Sequence, residues 1–252
     1  MESTQIKEII AKSWDQKHGS YDDTPAHGLK SDGEKREWLR FLDDLIVQKP
    51  SYCLDVGAGT GFISLLLCEL GHVCRGIDLS EGMLEEAKEK AKKMAFSHIC
   101  FEIGDAENID SLDETYDVVI NRHLLWTLPD PEKAVNEWLR VTKMGGMVII
   151  IDGDWFDETF SKQLRQKTGR VLAKITGKSR EHKEIYSAEV IENLPMMKGK
   201  ETMKTLDLLK KTGYKLDIKD MKRVENAERE AMTLAERLLY STNRCVIIVH
   251  KE

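Results

Sequence analysis

The sequence predicts an α/β protein, built on a mostly parallel, doubly wound sheet of seven strands with helices on both faces. From residue 51 onward, short apolar runs alternate with amphipathic helical segments, which is typical of strand–helix–strand units. The runs are nearly continuous in apolar residues, as expected for strands buried on both faces. The first five predicted strands cover residues 52–56, 72–78, 98–104, 116–121 and 146–152, and the helices between them cover about 60–70, 80–94 and 130–143.

The length of 252 residues suits one domain with additions. We expect a helical cap over residues 1–48, a core over 51–152, and a helical lid insertion over 153–198. Residues 199–252 should then supply a helix near 199–212 and two closing strands near 214–220 and 244–250. A glycine- and proline-containing loop interrupts the cap, and Ser31 or Asp32 is the expected N-cap of its second helix.

Composition and charge exclude several classes of protein. Hydrophobic residues make up 41% and charged residues 33%, which is typical of a globular chain. No apolar run approaches the ~20 residues that span a bilayer. The N-terminus lacks the pattern of a secretory signal. Five cysteines without a C-x-x-C spacing indicate reduced thiols in a cytoplasmic protein, with a metal- or arsenic-binding role as the alternative. A net charge of −6 argues against nucleic-acid binding.

Polar residues follow four consecutive predicted strands. The first strand runs into the turn LDVGAGTG, whose glycines at 57, 59 and 61 let a ligand approach the backbone at a helix N-terminus. Asp78 ends the second strand, where a carboxylate can accept hydrogen bonds from both hydroxyls of a ribose. Asp105 follows the third strand and can accept from an exocyclic amine, and Asn121 ends the fourth. Because ligands bind at the carboxyl ends of parallel strands, the sequence predicts one site there.

These segments resemble the class I S-adenosylmethionine-dependent methyltransferases, and especially the ubiquinone- and menaquinone-biosynthesis group (methyltransferase type 11). The resemblance covers about residues 51–152 and rests on LDVGAGTGFISLLLCELGH, GIDLSEGMLEEAKEKA, GDAENI and YDVVINRHLLWTLPDPEKAVNEWLRVTKMGGMVIIID. It implies a Rossmann-like fold that binds S-adenosylmethionine. It also implies transfer of a methyl group to a small-molecule acceptor by in-line displacement, with S-adenosylhomocysteine as the product.

The resemblance also implies a set of cofactor contacts. Asp55 and the turn at Gly57, Ala58 and Gly59 should border the methionine part, with Thr60 as an extra contact. Asp78 should hold the ribose, and Leu79 and Met83 should lie near the adenine. Asp105 and Ala106 should flank the adenine amine, and the backbone carbonyl of Asn121 should approach the methionine end. Tyr21, in the N-terminal loop, should close over the cofactor.

Other functions remain open at this point. A dehydrogenase fits less well, because its usual turn is G-x-G-x-x-G and the chain lacks a second half for a nicotinamide. A regulatory protein that binds S-adenosylmethionine without turnover would show the same pocket. An RNA methyltransferase could use the basic insertion, although no NPPY-type run follows the fourth strand.

Methyl transfer from a sulfonium depends mainly on positioning, and a base is needed only when the acceptor arrives protonated. His123 is the predicted base, because it lies just past the fourth strand and an ordinary histidine pKa of about 6.5 suits proton removal. A structural role is the alternative for His123. The other predicted acceptor-pocket residues are Arg122, His27 and Trp126. For Arg122 the alternatives are solvent exposure or pairing with a buried carboxylate, and for Trp126 the alternative is core packing.

The insertion between the fifth strand and the helix near 199 is strongly basic. Residues 161–184 carry eight lysines and arginines and two acidic residues. We expect a mobile lid over the acceptor pocket that favours an anionic small molecule. Charge reversal at Lys162, Arg165 or Arg170 should then raise KM for the acceptor. A solvated helix face and an RNA contact are the alternatives.

Overall fold

The computed structural model describes residues 2–155, 160–175, 185–197, 200–240 and 244–252. Its centre is a seven-stranded sheet with the order β3-β2-β1-β4-β5-β7-β6. The strands are β1 Tyr52–Val56, β2 Val73–Asp78, β3 Ile99–Ile103, β4 Tyr116–Arg122, β5 Thr142–Gly153, β6 Lys215–Asp220 and β7 Arg244–His250. Strand β7 runs antiparallel to both of its neighbours, and the pairs among β1 to β5 are parallel. The predicted fold class is confirmed.

Helices flank the sheet and form the cap. They are α1 Ser3–Asp15, α2 His18–Tyr21, α3 Asp32–Leu45, α4 Phe62–Glu69, α5 Glu81–Lys93, α6 Pro131–Val141, α7 Phe160–Ile175, α8 Ala188–Glu192, α9 Glu201–Lys210, α10 Lys222–Ala231 and α11 Leu234–Leu239. Short 3-10 turns cover Leu125–Thr127 and Pro195–Met197. Side chains cap several N-termini: Ser31 accepts from the Glu34 N–H at 3.1 Å, and Ser80 from the Met83 N–H at 3.2 Å.

An apolar layer lies on each face of the sheet. Trp138 on α6 and Trp38 on α3 are each 0% exposed, one in each layer. The indole of Trp138 donates to the carbonyl of Ala106 at 3.1 Å, and that of Trp38 to Glu228 Oε1 at 3.3 Å. Both indoles therefore keep a hydrogen bond while their rings fill the core.

A third apolar cluster joins the N-terminus to the segment after α7. Ile6 and Ile10 of α1 pack with Trp126, Tyr186 and the residues of α8 and the turn after it. This cluster places α1 across the carboxyl ends of the parallel strands, where the predicted site lies. None of the helices in the described ranges is long and apolar enough to cross a membrane.

Candidate cofactor and acceptor site

A cleft of about 730 Å³, including its open mouth, lies at the carboxyl ends of β1 to β4. That size is typical of a small-molecule site. Ten predicted site residues line it: Tyr21, Gly57, Gly59, Asp78, Leu79, Met83, Asp105, Ala106, Arg122 and His123. Lining residues that were not singled out from the sequence include Lys7, Ile10, Trp14, Leu124, Thr127 and Leu128.

The glycine turn has a left-handed backbone at three positions, Gly57, Gly59 and Gly61. Gly57 has φ +70°, and a Cβ there would lie 2.7 Å from Leu124 Cδ1. Gly61 has φ +82° and is the N-cap of α4. Asp55 lies beneath the turn and accepts from the N–H and the hydroxyl of Ser64, at 3.0 and 2.6 Å. Burial raises the pKa of Asp55 to about 6. Asp55 therefore anchors the first turn of α4 from outside the cleft lining.

Asp78 is fixed at the end of β2 by two backbone donors. Its Oδ2 accepts from the Gly59 N–H and its Oδ1 from the Ser80 N–H, both at 2.9 Å. Burial raises the pKa of this carboxyl despite these bonds. A carboxylate has about four acceptor sites, so each oxygen retains capacity for a further donor. The arrangement fits a ribose diol.

Beyond the end of β3, Asp105 has a partner that the sequence did not suggest. Lys7 of α1 reaches Asp105 Oδ2 at 2.7 Å and Glu107 Oε2 at 2.5 Å. Its two carboxylate partners raise the pKa of Lys7, although burial opposes them. A lysine on a polar helix face carries no signal for this role, because the pairing joins residues far apart in the chain.

His123 adopts a left-handed backbone, with φ +58°. Its N–H donates to the Ile151 carbonyl at 3.0 Å, and its ring meets that of Trp155 edge-on at 4.6 Å. Its Nε2 is buried and has no hydrogen-bond partner. Burial, and next the charge of Arg122, hold the pKa of His123 well below its usual range. The imidazole is therefore neutral at pH 7, with a free ring nitrogen.

Arg122 binds the N-terminal loop and does not point to solvent. Its guanidinium donates to the carbonyls of Ala26 at 3.3 Å and His27 at 2.7 Å, and lies 3.9 Å from the ring centre of Phe62. The His27 ring lies 4.5 Å from that of Tyr21. Burial, followed by the charge of Arg122, lowers the pKa of His27 to about 3. Arg122 thus places a permanent charge beside neutral rings.

Six of the predicted residues lie outside the lining of the cleft: Asp55, Ala58, Thr60, Asn121, His27 and Trp126. The hydroxyl of Thr60 donates to Asp22 Oδ1 at 2.6 Å, and Trp126 packs in the third apolar cluster. The side chain of Asn121 is fully buried, and neither amide atom has a hydrogen-bond partner. These six residues therefore contact neighbouring parts of the protein and not the space inside the cleft.

A family model for a methyltransferase domain matches residues 49–206, more than half of the chain. The chain belongs to this methyltransferase family. It is 39% identical over 100 residues to a phosphatidylethanolamine N-methyltransferase of Cereibacter sphaeroides, covering 39% of this chain and 49% of that one. It is 33% identical over 144 residues to a demethylmenaquinone methyltransferase of Renibacterium salmoninarum, covering 57% and 58%. The chain thus spans about half the length of the curated relatives it matches.

Solved methyltransferase structures share the fold. A Haemonchus contortus phosphoethanolamine N-methyltransferase, in complex with phosphomonomethylethanolamine and S-adenosylhomocysteine, aligns with a TM-score of 0.67 at 18% identity. That alignment covers 98% of this chain and 60% of the other. A geranyl diphosphate C-methyltransferase of Streptomyces coelicolor, also with S-adenosylhomocysteine, aligns over 100% of both chains with a TM-score of 0.62 at 14% identity. At these identities the likeness concerns the fold.

The sequence reasoning missed Asp152, the penultimate residue of β5. Its Oδ1 accepts from the Trp155 indole at 2.5 Å and from the Gly153 N–H at 2.9 Å. Burial raises the pKa of Asp152 to about 7. The signal was present, because Asp152 closes an apolar run at the same edge of the sheet as Asp78.

The predicted lid falls partly outside the described residues, which omit 156–159, 176–184 and 198–199. The described part contains α7, which packs against α11: a Cβ on Gly169 would lie 2.9 Å from side-chain atoms of Leu238 and Leu239. Arg165 and Arg170 lie on α7, Arg170 exposed and Arg165 half-buried. The position of the Lys162 side chain lies outside the described structure.

Proposed function

We propose that this chain transfers a methyl group from S-adenosylmethionine to a small-molecule acceptor. The supporting observation is that two carboxylates, the glycine turn and His123 line one cleft at the carboxyl ends of the strands. These residues would hold the cofactor along the row of strand ends, and it would supply the methyl group to an acceptor bound in the same cleft. Holding both reactants in one geometry supplies most of the rate enhancement expected of such an enzyme.

On the cofactor side, Asp78 accepts from the ribose hydroxyls and Asp105 from the adenine amine. Lys7 occupies one oxygen of Asp105, while Oδ1 of that carboxyl accepts from the Glu107 N–H at 2.9 Å. Spare acceptor sites on both oxygens leave room for an amine. The turn at Gly57 and Gly59, which is open above Gly59, would border the methionine part, and the sulfonium would supply the methyl group.

On the acceptor side, His123 takes a proton from the nucleophile through its free Nε2. Arg122 supplies a permanent positive charge, which favours an acceptor with an anionic group such as a carboxylate or phosphate. Two structural neighbours were solved in complex with phosphate-containing molecules, phosphomonomethylethanolamine and geranyl diphosphate. These complexes support an anionic acceptor. We further propose that the segment over residues 153–198 covers the acceptor, and that the protein works in the cytoplasm.

The experiment that tests the proposal is Asp78→Ala, followed by calorimetry with S-adenosylhomocysteine. Loss of hydrogen bonds to a charged group should weaken binding by about 1.5–3 kcal/mol. Asp44→Ala is the control, because Asp44 is exposed on α3. Circular dichroism of both variants checks the fold. Equal affinity in wild type and Asp78→Ala contradicts the proposed site.

Turnover separates an enzyme from a regulatory protein that only binds. Wild-type protein with S-adenosylmethionine and a small-molecule fraction of cell extract should produce S-adenosylhomocysteine, as measured by mass spectrometry. The Asp78→Ala variant should produce it more slowly at low cofactor concentration. Tight binding without any product in active extracts would favour the regulatory function.

A further inference from the structure

Helix α7 carries an apolar stripe that faces solvent. Leu164, Val171 and Ile175 are 56%, 58% and 76% exposed. Their spacing of seven and four residues puts them on one side of the helix. Isolated exposed aliphatic residues are ordinary, but three in register on one helix form a continuous surface.

The opposite side of α7 packs against the rest of the protein. Gly169 and Ala173 are buried, and Gly169 lies in close contact with Leu238 and Leu239 of α11. The exposed stripe is therefore a second apolar face that the described core does not use. Leu234, which begins α11, is 65% exposed and adds a further aliphatic side chain to the outside of this helix pair.

Positive charge borders the stripe. Lys167, Arg170 and Lys174 are exposed, and at 100° per residue they lie together along one margin of it. Residues 160–175 contain five lysines and arginines and no acidic residue, whereas the chain as a whole carries a net charge of −6. A helix with exposed aliphatic residues beside lysine and arginine is typical of segments that lie in the interface of a membrane.

The position of α7 in the fold links this surface to the cleft. Helix α7 follows β5, whose carboxyl end lies at the same edge of the sheet as the cleft. The stripe therefore belongs to the helix that follows, along the chain, a strand ending at the edge of the sheet that carries the cleft.

We propose that the face of α7 formed by Leu164, Val171, Ile175, Lys167 and Lys174 binds the surface of an anionic lipid bilayer. The aliphatic side chains enter the boundary between head groups and acyl chains, and the lysines contact lipid phosphates. This inference goes beyond methyl transfer, because it requires no cofactor and no acceptor.

Two other occupants fit the surface less well. RNA binding uses aromatic side chains for stacking, and no aromatic side chain is described on α7 between 163 and 175. A second copy of the chain would bring two basic helices together, with repulsion between like charges. A lipid surface matches both the aliphatic and the cationic components.

The test is co-sedimentation of the full-length chain, without cofactor, with vesicles of phosphatidylcholine alone or mixed with phosphatidylglycerol. We expect binding to the anionic vesicles, weakened by salt. Val171→Glu should abolish it. Lys167→Gln with Lys174→Gln should lower the partition coefficient about 10- to 30-fold. Circular dichroism should show unchanged folds, because all three side chains are exposed.

Matched controls place the same chemical changes elsewhere on the surface. Leu112→Glu alters an aliphatic residue that is 83% exposed, and Lys88→Gln with Lys92→Gln removes two exposed charges from α5. Both should bind vesicles like the wild type. The proposal is overturned if wild-type protein ignores anionic vesicles, if Val171→Glu binds normally, or if the face instead retains RNA or holds a dimer that Val171→Glu dissociates.

Discussion

His123 combines three properties that a structural histidine rarely has together. Its backbone is left-handed, which is unfavourable for a residue with a side chain. Its Nε2 is buried without a partner, which costs free energy unless a ligand satisfies it. Burial, and next the charge of Arg122, lower its pKa and keep it neutral. Strain and an unsatisfied nitrogen at the end of a strand indicate a group that is held for a ligand.

We predict that His123→Ala lowers the methylation rate by about 100-fold or more while changing cofactor affinity little, as for loss of a general base. Kinetics with an identified acceptor and calorimetry measure the two effects. His250→Ala is the control, since His250 pairs with Asp217 at the opposite edge of the sheet. An unchanged rate in His123→Ala supports a structural role.

The lowered pKa of His123 also changes the expected pH profile. A histidine base with an ordinary pKa of about 6.5 would give a rate that rises with pH through that range. Because the base is already deprotonated at neutral pH, the rate should be flat there. It should fall only at a pH well below 6.5, as the imidazole becomes protonated. A rise centred near 6.5 would contradict the environment described for His123.

Asp152 predicts a pH dependence of stability. Its pKa is about 7 when folded, against 3.8 for an ordinary aspartate, so the folded state holds the proton more tightly. Its contribution to stability is therefore largest below pH 3.8 and declines as pH rises to about 7. Asp152→Asn keeps an oxygen for Trp155 and Gly153 and mimics the protonated form. The free energy of unfolding of Asp152→Asn, relative to that of the wild type, should therefore increase by about 1–3 kcal/mol between pH 5 and pH 8.

Urea unfolding at the two pH values measures the Asp152 effect. Asp44→Asn, on an exposed part of α3, should show the same difference from wild type at both pH values. A constant difference for Asp152→Asn as well would mean that Asp152 titrates like an exposed carboxyl.

Among the elements, α1 and the loop after it act as a unit, here called the N-terminal strap (residues 3–28). The strap contacts the end of each of the first four strands. Lys7 binds Asp105, and Asp15 accepts from the Ser80 hydroxyl at 2.6 Å and the Gly82 N–H at 3.0 Å. Arg122 donates to strap carbonyls, and Thr60 to Asp22. Polar contacts therefore hold the strap against the edge of the sheet that carries the cleft.

We predict that Asp15→Ala releases the strap more often, because two hydrogen bonds to loop groups are lost. A loss of about 1–2 kcal/mol should raise the open population about 10-fold. Limited proteolysis near residues 16–30 should speed up, and bound S-adenosylhomocysteine should dissociate faster in stopped-flow measurements. Glu8→Ala, on the exposed side of α1, is the control. Unchanged proteolysis and dissociation in Asp15→Ala would show that other contacts hold the strap.

The elements that the sequence predicted are those with long apolar runs or clear caps. Helices α10 and α11 were not predicted, because Val224 is the one large apolar residue in KRVENAEREA and α11 is short. Strand β5 starts at Thr142 rather than 146, since its first residues include Gly145 and Gly146 and pair with β4 across a register shift. The hydrophobic pattern of the sequence predicts buried strands, but it does not predict segments whose structure depends on contacts with distant parts of the chain.

At the scale of the whole molecule, the sheet order explains why the cleft could be predicted and its surroundings could not. Parallel strands bring Asp78, Asp105 and Arg122 to one edge, and each follows an apolar run in the sequence. Lys7 reaches this edge only because α1 folds over it. Likewise Arg244 pairs with Glu228 in the interior, beneath the indole of Trp38. Such partners come from distant parts of the chain, and no local pattern marks them.

The strap, the glycine turn and the sheet edge all line the cleft proposed for the cofactor, so cofactor binding should stabilise the whole fold. A ligand that binds only the folded state at about 100 times its Kd adds about 2.7 kcal/mol. For a chain of this length we predict that S-adenosylhomocysteine raises Tm by roughly 5–10 °C.

Thermal scans with S-adenosylhomocysteine and, separately, with NAD measure the change in Tm. NAD should have no effect, because the turn is G-x-G-x-G and the described strands form a single sheet without a nicotinamide half. A larger shift with NAD would show that the cleft recognises a dinucleotide. The Asp78→Ala variant should lose most of the S-adenosylhomocysteine shift, since its ribose acceptor is gone, and should keep the Tm of the ligand-free protein within a few degrees.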